Sequence, residues 1–295
     1  MDARPAAPAL LRALRPRQWA KNVFVFAALV FAGRLSDHQA VLNVLGAFVV
    51  FCALSSAVYL LNDVRDVEAD RAHPVKRRRA IAAGEVARGT ALAVAAVLAV
   101  GALAGAFALS PALGKVAVAY LLLNLAYSMG LKRVVILDVM MVAAGFLLRA
   151  IAGAFVIDVE ISHWLVLCTG LLALFLGFVK RRQELSARHE GPPTRAILRE
   201  YSLPFLDQMI SVVTGATVVA YSLYAFSPEV AQKLGTQHLG LTIPFVLFGI
   251  FRYLYLVHQR GDGENPTAVV LTDPPLILDV VLWAVAVLVA LYVWR

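Results

Sequence analysis

The chain has 295 residues, 61% of them hydrophobic and only 16% charged, with a mean hydropathy of +0.77. So few charges cannot cover a soluble surface, which excludes an ordinary soluble globular domain. A formal net charge of +8 would suggest nucleic acid in a soluble protein; here it reads as a mark of membrane orientation, and no nucleic-acid partner is expected.

Apolar stretches of about 18 residues or more recur, each able to cross a hydrocarbon core of about 30 Å. The expected fold is an all-α polytopic membrane protein with nine transmembrane helices in one bundle. The spans fall at roughly 22–35, 41–61, 90–109, 113–131, 134–156, 163–179, 205–226, 240–257 and 276–294. Residues 1–295 read as a single transmembrane domain, with an N-terminal interfacial helix in 1–21 and a cytoplasmic cap over 63–88. Placing the N-terminus in the cytoplasm puts 22 of the 27 Lys and Arg on that side, which predicts a multi-pass protein of the cell (inner) membrane. No cleavable signal peptide is evident. Cys52 and Cys168 lie inside apolar spans and read as small buried hydrophobes.

At the N-terminus, Leu10-Leu11-Arg12-Ala13-Leu14-Arg15 is apolar on one side and basic on the other, as an interfacial helix is. Trp19 is an interfacial anchor. Lys21 is either a snorkelling, topology-setting charge or a phosphate ligand. Span two then runs straight into Asn62-Asp63-Val64-Arg65-Asp66-Val67-Glu68-Ala69-Asp70. If the helix continues, Asn62, Asp66 and Asp70 fall at i, i+4 and i+8 on one face, with Asp63 one position round. These acids repel one another, and a hard divalent cation such as Mg²⁺ relieves the repulsion. Asn62, Asp63, Asp66 and Asp70 are therefore the expected metal ligands, with Asp63, Asp66 and Asp70 the expected catalytic carboxylates. A solvated helix cap is the plainer alternative.

His73-Pro74 should end the acidic helix, and Ala80 to Glu85 is apolar enough to pack back onto the bundle. Between them Lys76-Arg77-Arg78-Arg79 suits phosphates, and Lys76 and Arg77 are taken as substrate ligands. Metal ligands beside phosphate ligands point to a Mg²⁺-bridged diphosphate substrate.

Span four ends in Tyr127-Ser128-Met129-Gly130-Leu131-Lys132-Arg133, an aromatic and two bases on the same side of the membrane. Asp138 and Arg149 share one face of span five, where they either line a polar cavity or form a structural pair. Span six leads into Lys180-Arg181-Arg182-Gln183-Glu184, in which the bases serve either phosphates or topology alone. The turn-rich Gly261-Asp262-Gly263-Glu264-Asn265-Pro266 either closes over a site or simply links two spans. The six His are scattered without zinc spacing. The connections on the other side of the membrane carry no comparable cluster, so any chemistry is expected at the cytoplasmic face.

Asn62 to Asp70 fits the pattern N-D-x-x-D-x-x-x-D, and in this the chain resembles the UbiA-type intramembrane prenyltransferase superfamily. The resemblance implies an all-helical, nine-span enzyme that binds Mg²⁺ and an isoprenoid diphosphate at the cytoplasmic end of its bundle. Tyr127 and Lys132 match the family's aromatic-plus-Lys element after the fourth helix. One departure stands out: the family's second Asp-rich motif is replaced here by Lys180-Arg181-Arg182-Gln183-Glu184, which implies a more anionic set of substrates. Local matches at Arg15–Asn22, Ser56–Arg77, Arg149–Gly153 and Lys180–Leu185 are similar to the branch of decaprenyl-phosphate phosphoribosyltransferases. That branch implies phosphoribosyl pyrophosphate and a polyprenyl phosphate as substrates, Mg²⁺ as cofactor, and a lipid-linked phosphoribose for cell-wall arabinan as product. Lys21, Asn62, Lys76, Arg77, Tyr127, Lys132, Lys180, Arg181 and Glu184 are the expected substrate-binding residues, gathered at one pocket. A homo-oligomer is left open. An aromatic-ring prenyltransferase of the same superfamily and a transporter of anionic metabolites are the competing readings.

Overall fold

Long apolar runs in a chain this poor in charge satisfy their backbone polar groups internally, and helices do so segment by segment. The computed structural model describes residues 9–186, 196–259, 269 and 272–294, and the regular structure among them is entirely helical. Among the described residues eight helices are long and apolar enough to cross a bilayer: His38–Arg65, Arg88–Leu109, Pro111–Met129, Leu137–Val156, His163–Ser186, Leu203–Phe226, His238–Gln259 and Pro274–Tyr292. The expected first span at 22–35 is not among them. Pro16–Phe26 instead coils as a 3-10 helix and passes into a short helix, α2 (Ala27–Phe31). Pro16 fixes the start of this coil, and Arg15 before it turns left-handed at φ 55°. The backbone of the coil is approached closely: a Cβ on Gly153 would lie 1.9 Å from the Val25 carbonyl oxygen, so only glycine fits there.

The structure divides into two compact units. Of the described residues, unit 1 holds those within Met1–Leu29, Leu35–Leu131 and Leu148–Glu160. Its centre is α3 (His38–Arg65), which buries Val44, Phe51, Leu54 and Leu60. Asp37 caps the start of α3 by accepting the Ala40 N–H at 3.0 Å. Against α3 pack α1 (Ala9–Leu14), the 3-10 coil, α5 (Arg88–Leu109) and α6 (Pro111–Met129). Short α4 (Val67–Ala72) follows α3 almost at once. Ala80, Ile81 and Val86 are buried with Ala57, Leu60, Val67, Ala91 and Ala95, so the segment after the basic run does pack back onto the helices.

Unit 2 holds the described residues within Val30–Arg34, Lys132–Leu147 and Ile161–Arg295. Here α8 (His163–Ser186) packs along α9 (Leu203–Phe226), followed by α10 (Pro228–Leu234), α11 (Ile243–Gln259) and α12 (Pro274–Tyr292). Its core is built from Val139, Phe175, Phe178, Leu206, Ile210, Tyr253 and Leu256. The remaining helix, α7 (Leu137–Val156), contributes residues to both units. The turn-rich stretch Gly261 to Pro266, and Arg188 and Arg195, lie outside the described residues.

Asp138 and Arg149, expected to line a cavity or to pair, have separate partners. Arg149 donates from Nε to Asn22 Oδ1 and from Nη2 to the Tyr120 hydroxyl, both at 2.7 Å, with its guanidinium over the Tyr120 ring. Asp138 is held within unit 2 by Arg181 and Tyr201. A buried charge needs a full set of hydrogen bonds at short range, and each finds them on neighbouring helices.

Candidate active site

The acidic stretch does not continue as one helix. α3 ends at Arg65, and Asp66 leaves helical geometry at φ −91°, ψ 11° before α4 begins at Val67. The break is one residue long, because the Asp66 N–H still reaches the Asn62 carbonyl (2.9 Å) and the Asp70 N–H reaches that of Asp66 (2.8 Å). α4 ends at Ala72, and His73 is extended (ψ 131°), the conformation that a following proline enforces. The His73 Nδ1 then accepts the N–H groups of Val75 and Lys76, each at 3.2 Å, and starts the 3-10 turn Lys76–Arg78. Burial, and then the nearby Lys76 charge, hold the His73 pKa below the usual histidine value, which keeps that nitrogen an acceptor.

The chain then folds Arg79 back over the acids. Its Nη1 donates to Asp63 Oδ1 at 3.1 Å and to Asp70 Oδ2 at 2.7 Å, so one nitrogen bridges two buried carboxylates. Arg15 Nη2 donates to the same Asp63 oxygen at 2.5 Å, while its guanidinium lies 4.9 Å from the centre of the Tyr59 ring. Asn62 Oδ1 accepts the Ser128 hydroxyl at 2.6 Å. Asp66 is half-buried at the break. Glu68 faces outward, and the Arg88 hydrogen bond, followed by the Arg71 charge, holds its carboxyl below the usual range.

Among the described residues no group of three or more His, Cys, Asp or Glu is arranged around a metal-sized point. Two of the four expected ligands, Asp63 and Asp70, are nonetheless brought together, with a guanidinium between their oxygens. Hard carboxylate oxygens already sharing one cation are a donor set that suits a hard divalent ion. Asp63 and Asp70 thus supply the kind of oxygen that Mg²⁺ takes.

Of the other expected substrate residues in unit 1, Lys21 is half-buried on the 3-10 coil, Lys76 half-buried, Arg77 exposed, and Tyr127 half-buried next to Ser128. In unit 2, Lys132 and Lys180 are half-buried. Arg181 is buried: its Nε donates to Asp138 Oδ2 at 2.5 Å and its Nη1 to Glu184 Oε2 at 2.7 Å. The Tyr201 hydroxyl donates to Asp138 Oδ1 and accepts the Ile136 N–H, both at 2.7 Å. Burial, reinforced by Asp138, raises the Tyr201 pKa and keeps the hydroxyl a donor. The residues that sequence reasoning missed are Arg15, Arg79 and Ser128. Arg79 stood in the basic run, but no spacing rule shows which of four consecutive bases turns back.

Residues 22–271 match the model of the UbiA prenyltransferase family. The chain is 39% identical to a decaprenyl-phosphate phosphoribosyltransferase of Mycolicibacterium smegmatis, over 96% of this chain and 92% of that one. It is 41% identical to that of Mycobacterium tuberculosis (94% and 92%) and 36% identical to that of Corynebacterium glutamicum (97% and 88%). In fold it is similar to a UbiA homolog from Archaeoglobus fulgidus bound to DMAPP and Mg²⁺, with a TM-score of 0.72 over 97% of this chain and 99% of that one at 17% identity. A digeranylgeranylglyceryl phosphate synthase shares the fold at a TM-score of 0.62 and 18% identity, over 96% and 97%.

Proposed function

The chain belongs to the UbiA prenyltransferase family, and on that footing we propose that it transfers 5-phosphoribose from phosphoribosyl pyrophosphate to a polyprenyl phosphate such as decaprenyl phosphate. The products are pyrophosphate and a polyprenylphosphoryl-5-phosphoribose, a precursor for cell-wall arabinan. The observation that carries this reading is the buried Asp63–Arg79–Asp70 bridge at the end of a long apolar helix. It lies in a chain whose relatives over nearly their whole length bear that enzyme name. Within the run Lys180 to Glu184, Arg181 and Arg182 are paired with Asp138, Glu184 and Asp207, so Lys180 is the base of that run assigned to a substrate phosphate.

In this mechanism Asp63 and Asp70, with Asn62 and Asp66, hold Mg²⁺, which when bound neutralises the charge of the departing diphosphate. The acceptor is already a phosphate anion and attacks C1 of the ribose without a general base. What the protein must do is hold anions close together against their repulsion. In unit 1, Lys21, Lys76 and Arg77 are assigned that role; in unit 2, Lys132 and Lys180 are the corresponding candidates. Tyr127 adds an aromatic edge next to Ser128. Arg181 and Glu184 act at one remove: Arg181, paired with both Asp138 and Glu184, fixes the helix end that carries Lys180.

Nine crossings are part of the proposal. The first would run over the expected 22–35, from the last turns of the 3-10 coil through α2 (Ala27–Phe31), with Trp19 and Lys21 left at the membrane surface. The distribution of Lys and Arg then supports a cytoplasmic N-terminus and a site at the cytoplasmic face of the inner membrane. Purified protein given polyprenyl phosphate, phosphoribosyl pyrophosphate and Mg²⁺ should yield a lipid heavier by one phosphoribosyl group in mass spectrometry. No such product, together with turnover of a prenyl diphosphate on an aromatic acceptor, rejects the reading.

A further inference from the structure

We propose that Arg79 is an exchangeable counter-ion: its guanidinium holds Asp63 and Asp70 together while the metal is absent, and leaves them for the diphosphate when metal binds. The inference rests on the metal assignment above. Its structural ground is the single Nη1 atom bridging Asp63 Oδ1 at 3.1 Å and Asp70 Oδ2 at 2.7 Å. Both carboxylates are buried, yet the Arg79 side chain is 31% exposed, so the cation between them has a route to water.

The backbone that carries Arg79 is pinned. Ala80, Ile81 and Val86 are buried against Ala57, Leu60 and Val67. The turn closes through Ala83 N–H to the Arg79 carbonyl (2.8 Å) and Glu85 N–H to that of Ala80 (2.9 Å), with Gly84 at φ 80°. An exchange therefore requires only rotation of a long side chain, which is fast and costs little. Charge supplies the drive. Asp63 and Asp70 are balanced by Arg79 and Arg15. A divalent cation entering this set adds two positive charges, and a diphosphate offsets them. Arg79, displaced from oxygen ligands it can no longer share, keeps a fork geometry suited to phosphate. Metal and diphosphate should thus bind cooperatively, each raising the affinity for the other.

Wild-type protein in detergent tests this without turnover, by mass-spectrometric measurement of Arg79 modification by phenylglyoxal. Mg²⁺ alone should raise the labelling rate of Arg79 at least about threefold over an EDTA control, and Mg²⁺ with inorganic pyrophosphate should lower it again. Unchanged labelling overturns the proposal. Arg79→Gln should bind Mg²⁺ alone about tenfold more tightly by calorimetry and lose the cooperativity with pyrophosphate, while Arg78→Gln, which removes the same charge from the same exposed turn, should change Mg²⁺ affinity less than about threefold. Equal effects of the two variants would reduce Arg79 to general surface charge. If Arg79→Gln does not fold, the labelling experiment still decides. Absence of phosphoribosyl transfer with the Mg²⁺-dependent labelling intact would reject the function and leave the exchange standing.

Discussion

Each unit contains an arginine set between two carboxylates, and the two arrangements differ in one respect. In unit 2, Arg181 joins Asp138 and Glu184 from within a long helix, and its side chain is 4% exposed beside an Asp138 that is fully buried. In unit 1, Arg79 joins Asp63 and Asp70 from the end of a three-residue turn and remains 31% exposed. The chemistry is the same and the solvation is not. A guanidinium without access to water cannot leave its carboxylates, because the uncompensated charges would cost several kcal/mol each. One that keeps an open edge can be exchanged. The first arrangement fixes a helix end, and the second leaves its cation open to the exchange proposed above.

Breaking the buried arrangement should have the largest effect. Asp138→Ala takes one of its carboxylates from the buried Arg181 guanidinium and removes the acceptor of the Tyr201 hydroxyl; a loss of roughly 3–5 kcal/mol is expected, seen as a large fall in Tm in detergent. A Tm near wild type would mean that the two arrangements are alike. Arg181→Lys keeps the charge but not the two-pronged geometry, and should cost about 1–3 kcal/mol by the same measurement. A half-exposed bridge should respond in the opposite sense, in function rather than folding. Asp70→Asn leaves Arg79 on Asp63 and keeps a neutral acceptor at position 70, so stability should fall by about 1–2 kcal/mol, while phosphoribosyl transfer falls at least about 10²-fold. Wild-type turnover there would reject the carboxylate's role. The smallest response belongs to Glu68, whose salt bridges to Arg71 and Arg88 lie fully in solvent. Its pKa is lowered in the folded state, so its contribution is present above the ordinary glutamate value and fades as pH falls through the lowered one. Glu68→Gln should leave Tm within about a degree at pH 7, and should flatten only the acid edge of a Tm-against-pH curve.

The helices were legible because hydropathy reports directly on the bilayer: Leu203–Phe226 and Pro274–Tyr292 need no partner to be recognised. The break after Arg65 was not, since Val64 to Ala69 contains no Gly or Pro, and the helix stops at Asp66 only in its tertiary setting. His73-Pro74 ended α4 as local sterics require. The coil from Pro16 to Phe26 escaped notice for a different reason. Its apolar composition is that of an α-helical span, while its 3-10 form goes with the close approach of Gly153, more than a hundred residues away in sequence.

By itself the sequence determined that the chain crosses a membrane several times, where its acids and bases lie along it, and which family motif they form. These follow from composition, periodicity and short spacings, all local quantities. Tertiary structure decided the pairings: Arg79 with both Asp63 and Asp70, Arg181 with Asp138, Arg149 with Asn22 and Tyr120. Charged side chains in an apolar protein take whichever partners the packed helices bring within about 3 Å, and that distance depends on the path of the whole backbone.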